Sequence, residues 1–305
     1  MICYYSANMP GPYHIKEGIP CQDAYFVRRD KEGVVYAGVA DGLGSEYHSD
    51  DGARIAVKES CLYCMELYQG GMAFPEVKKI MNNAFVYAYK AVLEEAVEAG
   101  NPSNEYDTTL SLVIYDQGKV FYGQSGDSGI VALMSSGEYL ALTSQQRDED
   151  GHVFPLCSGP DRWVFGEVLD PVSSIMVMTD GVWEEINPPL LRHQEVTINV
   201  ALTMRFMDRT ERTLKEVKAL EKAARCYLKQ YPQRLLDDDK TIVVIFDPSH
   251  PAKRLGEEYY QMPDWTSLQE SIRAKLYADP VLDESGSQGN SALVPQSYWD
   301  YYRPE

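Results

Sequence analysis

Two apolar runs in this chain end on Asp-Gly, and that recurrence narrows the possible architecture more than any other feature. Val34-Val35-Tyr36-Ala37-Gly38-Val39-Ala40 stops at Asp41-Gly42, and Ile175-Met176-Val177-Met178 passes through Thr179 into Asp180-Gly181. Runs rich in β-branched residues and bounded by turn residues read as strands. Each Asp-Gly step alone is an ordinary turn, since glycine accepts positive φ and aspartate caps neighbouring amides. Other acids fall in similar places. Asp23 heads an earlier strand-like run, Asp127 lies in Ser125-Gly126-Asp127-Ser128, and Asp238 precedes the run Thr241 to Phe246. Strands that neighbour one another in a sheet or sandwich can bring such termini to one rim.

The remaining pattern supplies the strands' partners. Ala24 to Val27 and Val34 to Ala40 read as a hairpin across a polar loop. Two helices are predicted next, over about 50–68 and 75–99, each with an apolar stripe and a glycine stop. The period then changes to two, with short strands at 108–115, 119–124, 130–134 and 138–143, the apolar run 175–178 and a closing strand at 241–246. A mostly helical insert, about 184–235, contains amphipathic stretches at 196–207 and 214–228. The order implies a mixed α+β domain over about residues 1–250. In the tail, 251–305, Trp265, Leu268, Ile272 and Leu276 fit one short amphipathic helix, and Asp283 to Asn290 reads as a flexible linker. That helix and the aromatic cluster Tyr298 to Tyr302 are expected to dock in cis or on a partner.

The 305 residues include 46 acidic and 28 basic side chains, a net charge of −18. This balance opposes binding to nucleic acid and suits a protein that collects cations. No apolar run approaches a membrane-spanning length and the N-terminus lacks a secretory pattern, so a soluble cytoplasmic protein with no membrane partner is expected. Six scattered cysteines do not form a disulfide scaffold. Cys61-Leu-Tyr-Cys64 has metal-like spacing but lies in a helical stripe, where core packing is the expected role.

Pooled carboxylates repel, and their proton affinities rise unless cations neutralise them. Oxygen-only ligands select hard ions, Mg²⁺ or Mn²⁺. A pair of such ions can activate a bridging water and hold phosphate oxygens, so the expected chemistry is direct attack of a metal-bound hydroxide on phosphorus.

Cys21-Gln22-Asp23-Ala24, Val39-Ala40-Asp41-Gly42-Leu43-Gly44, Asp107-Thr108-Thr109-Leu110, Ser125-Gly126-Asp127-Ser128, Met178-Thr179-Asp180-Gly181-Val182-Trp183 and Asp238-Asp239-Lys240-Thr241 occur in the order found in the protein phosphatase 2C family. The chain resembles a divergent bacterial branch of these metal-dependent Ser/Thr phosphatases, over about residues 14–246. The resemblance implies a β-sandwich flanked by helices on both outer faces, a phosphoprotein substrate, and two Mn²⁺ or Mg²⁺ ions with a third, weaker one. Asp41 would bridge the two metals with the Gly42 carbonyl as a ligand, Asp180 and Asp238 would complete the first site, and Asp23 would serve the second. Asp127 would serve the third ion, and the insert would form a flap beside the site. The arginine that many members place five residues before the first aspartate is Gly18 here, which leaves Lys16 or His14 to grip phosphate. Leu43 stands where many eukaryotic members carry histidine, and Gly129 where an arginine often follows Gly-Asp-Ser. Distance to Thr241 favours Asp238 over Asp239 as the ligand. A pseudophosphatase that binds phosphoproteins, or a hydrolase of small phosphoesters, are the competing readings.

Overall fold

The computed structural model describes residues 1–192, 194–207, 216–230 and 238–277. The chain begins with β1 (Cys3–Met9), α1 (Pro12–Glu17), β2 (Asp23–Arg29), β3 (Val35–Asp41), α2 (Ser49–Leu67) and α3 (Phe74–Ala99). A run of strands follows: β4 (Leu110–Asp116), β5 (Lys119–Ser125), β6 (Gly129–Met134), β7 (Tyr139–Ala141), β8 (Val164–Val168) and β9 (Val172–Met178). The last elements are α4 (Asp180–Ile186), α5 (Val200–Met207), α6 (Val217–Gln230), β10 (Lys240–Phe246) and α7 (Trp265–Tyr277).

The strands form two five-stranded sheets, ordered β2-β3-β4-β5-β8 and β1-β10-β9-β6-β7. Every pairing is antiparallel. Successive strand residues point to opposite faces. Val35, Ala37 and Val39 of β3 accordingly share the core between the sheets with Ile130, Ile175, Val177, Val243 and Ile245. Tyr36 and Ala40 face outward, into a layer formed with Val57, Cys61 and Cys64 of α2 and Met81 and Phe85 of α3. On the other side, Met176, Met178, Ile242 and Val244 pack with Trp183, Phe206 and Leu220 of α4, α5 and α6. The result is a β-sandwich with helices on both outer faces, and the two α2 cysteines are fully buried core residues.

The two long helices lie where their apolar stripes predict. Pro75 sits in the first turn of α3, Glu76 Oε2 accepts the Ala73 amide at 3.1 Å, and Gly100 ends the helix in a left-handed conformation at φ 74°. Three elements differ from the sequence expectation. β1 and β8 carry no clear period-two signal: β1 is a sheet edge in CYYSANM, and β8 is an edge strand with a central glycine and a half-exposed Val164. α1 spans six residues, none of them buried, so no stripe announces it.

After β10 the chain turns back across the second sheet. The Lys253 amide donates to the Ser135 carbonyl at 3.1 Å, and the Tyr139 amide donates to the Tyr259 hydroxyl at 2.8 Å. The Tyr139 and Tyr259 rings stack with centroids 6.4 Å apart. This covers β7, which would otherwise offer unpaired backbone at the sheet edge. In α7 Trp265, Leu268 and Ile272 of the predicted stripe are half-buried, and the Leu276 side chain lies outside the described residues. The predicted linker Asp283 to Asn290 and the cluster Tyr298 to Tyr302 lie outside the described residues. Among the described residues, no helix is long and apolar enough to cross a membrane. Tyr259→Ala is expected to destabilise the fold by about 1–3 kcal/mol, as loss of a packed aromatic and its hydrogen bond should. An unchanged midpoint in urea denaturation would show that this return segment does not brace the sheet.

Candidate metal centre

Five strand ends converge at one end of the sandwich. Asp23 begins β2 and Asp41 ends β3, directly opposite one another in register. On the other sheet Gly129, Met178 and Ile242 lie level across β6, β9 and β10, so Asp127, Asp180 and Asp238 leave the sheet at the same end. Local bonds hold each acid in place. The Asp41 carbonyl accepts the Thr109 amide at 2.8 Å and the Thr108 hydroxyl at 2.9 Å, and the Asp41 amide donates to Thr109 Oγ1 at 2.9 Å. The Thr179 hydroxyl donates to Asp23 Oδ2 at 2.7 Å while accepting the Thr241 amide at 3.0 Å. Glycine after each aspartate answers to close backbone approach: a methyl group at Gly42 would overlap the Ser49 backbone, and one at Gly181 the Asp239 carbonyl. The indole of Trp183 lies against Gly129, which leaves no room for the arginine that relatives often carry there.

A cavity of about 220 Å³ opens over these ends, with Asp41, Gly42, Asp127, Asp180 and Asp238 on its wall. Asp41, Asp127 and Asp180 each bring a carboxylate oxygen within 4.8 Å of the other two. Burial foremost, then the facing acids, push Asp41 and Asp180 well above the usual carboxylate range. Burial also raises Asp127, against the pull of Arg147. Asp127 Oδ1 is buried and has no hydrogen-bond partner among the described residues. Three carboxylates within reach of one another, one of them with an unsatisfied buried oxygen, are the oxygen donor set a hard divalent cation requires, so the residues fit Mg²⁺ or Mn²⁺.

The remaining predicted residues divide. Asp238 is exposed on the cavity wall and raises both Asp41 and Asp180 by its charge. Asp239 is 2% exposed, and its carboxylate is engaged by the Gly11 and Gln22 amides, both at 2.6 Å, and by His14 Nδ1 at 2.8 Å. Asp23 is buried off the cavity wall, its carboxyl pushed up to about 8 chiefly by burial. His14 lines the cavity; Lys16 does not, and its ammonium reaches Glu17 at 3.1 Å in solvent.

Arg147 was not anticipated. It donates through Nη2 to Asp127 Oδ2 at 2.5 Å and to Asp180 Oδ2 and Glu184 Oε1 at 3.4 Å. Its neighbour Gln146 anchors it: the Gln146 amide donates to the Gly126 carbonyl at 3.2 Å, and the Gly126 amide donates to Gln146 Oε1 at 2.9 Å. In sequence it is one arginine in a polar loop, Ser144 to Asp150, with no spacing that ties it to Asp127.

A family model described as protein phosphatase 2C matches residues 10–229. The chain belongs to the protein phosphatase 2C family. Serine/threonine-protein phosphatase 3 of Escherichia coli K12 is 28% identical over 142 residues, which cover 45% of this chain and 55% of that protein. The matched stretch thus spans about half of that relative. Among solved structures, the serine/threonine phosphatase Stp1 of Staphylococcus aureus aligns over 81% of this chain and 95% of its own, with TM-score 0.54 and 12% identity. The S. agalactiae serine/threonine phosphatase covers 81% and 100%, with TM-score 0.52 and 17% identity. These likenesses establish the phosphatase 2C fold, and the family is metal-dependent.

The acid cluster sets the direction of a pH effect. Folded Asp23 keeps its proton to about pH 8, whereas the unfolded chain releases it near pH 4. Metal-free stability should therefore fall as pH rises from about 4 to 8, by at most about 1.4 kcal/mol per unit from this one group. Thermal melts in chelator should show that slope, and Asp23→Asn should flatten it; an equal slope in both proteins contradicts the assignment.

Proposed function

We propose that this phosphatase 2C family member hydrolyses phosphoserine and phosphothreonine in phosphoproteins with the help of Mn²⁺ or Mg²⁺. The observation that carries the reading is the meeting of Asp41, Asp127 and Asp180 in one cavity, with a carboxylate oxygen left unpaired. Asp41, Asp180 and Asp238 would hold the first ion, Asp23 would hold a second directly or through water, with Asp41 shared between them and the Gly42 carbonyl a ligand to one. Asp127, placed against Asp41 and Asp180, would serve there or at a third position. Bound divalent cations supply an activated water and polarise phosphate oxygens, the basis of hydrolysis by hydroxide attack on phosphorus without a nucleophilic side chain.

The chain's own residues supply the rest. Arg147 uses Nη2 for the carboxylates, and its Nε and Nη1 donors have no hydrogen-bond partner among the described residues. A guanidinium fork of this kind matches two phosphate oxygens. Arg147 therefore takes the phosphate-holding role that Gly18 cannot fill, with the His14 imidazole also on the wall. All six cysteines are free thiols, which suits the reducing cytoplasm.

One observation favours a second reading, phosphoprotein binding without turnover: a guanidinium already sits among the acids. Turnover of an aryl phosphate separates the two. The enzyme reading predicts Mn²⁺-dependent hydrolysis that Asp41→Asn reduces at least about 100-fold, the scale for losing a directly engaged catalytic group. Manganese binding by calorimetry without any turnover would favour the binding module. Arg147→Ala should raise KM about tenfold or more while lowering kcat less, since uniform binding to phosphate is what it removes. A KM within twofold of the wild type would take the phosphate role from Arg147.

A further inference from the structure

An alkyl phosphate ester leaves as a poor alkoxide unless a proton reaches the departing oxygen, a contribution worth about 10²–10⁴-fold. Leu43 follows the first Asp-Gly step and has no proton to give. Among the described residues on the cavity wall, Asp41, Asp127 and Asp180 are grouped as cation ligands, Asp239 is engaged by backbone amides, and Arg147 stays protonated at any relevant pH. His14 brings an imidazole to the same wall, a side chain of the type that both gives and takes protons in general acid–base catalysis.

Its setting is specific. The Asp239 carboxylate already accepts two backbone amides, from Gly11 and Gln22, and an ionised carboxylate can only accept. The contact at 2.8 Å therefore requires His14 Nδ1 to be the donor. Nδ1–H is fixed on a buried, immobile acceptor, and Nε2 is left as the ring's working nitrogen. The side chain is 12% exposed, so the ring is held rather than free in solvent. Its backbone is held as well: the Ile19 amide donates to the His14 carbonyl at 2.9 Å as Gly18 ends α1. The charged groups sharing its cavity are Asp41, Asp127, Asp180, Asp238, Asp239 and Arg147.

We infer that His14 is the proton donor to the leaving serine or threonine oxygen, with Asp239 as the residue that positions it. This rests on the phosphatase reading above. As the bond from phosphorus to the ester oxygen breaks, that oxygen takes the bonding pair and accepts the proton from Nε2. The Nε2–H electron pair stays on the ring, which becomes neutral imidazole still donating Nδ1–H to Asp239. The attacking water loses a proton in the same turnover, and a proton taken up from solvent restores the imidazolium. Water and phosphoester are thus converted to phosphate and alcohol with no net change in His14.

The test compares leaving groups. In Mn²⁺, kcat of the full chain is measured on a phosphoserine peptide and on p-nitrophenyl phosphate, whose phenolate departs without a proton. His14→Gln is expected to lose about 10²-fold or more on the peptide and less than tenfold on the aryl ester, with Mn²⁺ affinity by calorimetry within twofold of wild type. Equal losses on both substrates, or none on the peptide, overturn the proton-donor role. If the variant folds poorly, the wild type decides alone: across a series of aryl and alkyl phosphates a shallow dependence of kcat on leaving-group pKa supports the role, and a steep one overturns it. Wild-type protein that turns over neither substrate brings down the phosphatase reading itself, an outcome distinct from any failure confined to His14.

Discussion

Mutual repulsion among carboxylates in a partly buried cavity is the constraint around which this structure is organised. Asp41, Asp127 and Asp180 stand within ligand distance of one another, and Asp23 and Asp238 add to the field at Asp41 and Asp180. In water such charges would separate. Here they cannot, because each is fixed to the end of a strand in a sandwich whose inner core is close-packed. The fold spends local hydrogen bonds on keeping them together: Thr108 and Thr109 hold Asp41, and Thr179 with Thr241 holds Asp23. Arg147 offsets part of the charge from a loop outside the sheets. An arrangement that raises its own free energy in this way is intelligible when a cation completes it.

The same geometry explains how two sheets make one site. Antiparallel order places the starts of β2, β6 and β10 beside the ends of β3 and β9, so five chain segments distant in sequence finish at a common rim. Asp239 then links the sheets, its carboxylate in the second reaching the Gln22 amide at the start of the first. The short helix α1 hangs on that link through Gly11 and His14. A single buried carboxylate therefore connects the sandwich to a cavity-lining imidazole. The adjacent Asp238 remains on the cavity wall, and this division of labour is a structural reason for two consecutive acids at the head of β10.

Much of this was legible in the residues. Strands such as Val35 to Asp41 declare themselves by composition, and α2 and α3 by stripes long enough to average over exceptions. The acids were legible because each stands at a change of period, where a strand must stop. What was illegible depended on distance in space rather than on local pattern. β8 and β1 are edge strands whose pairing, not their composition, makes them strands. Arg147 gains its meaning from Asp127, twenty residues earlier, through a loop held by Gln146 and Gly126. The role of Asp239 rests on backbone amides at Gly11 and Gln22, which no side-chain motif encodes.

The claim that these strand ends form a cation site is tested most directly by anomalous diffraction at the manganese edge from crystals equilibrated with Mn²⁺. The account predicts manganese density in contact with the carboxylates of Asp41 and Asp180, with Asp127 Oδ1 no longer without a partner. Crystals that hold no manganese there, with Arg147 still seated on Asp127 and Asp180, would contradict it.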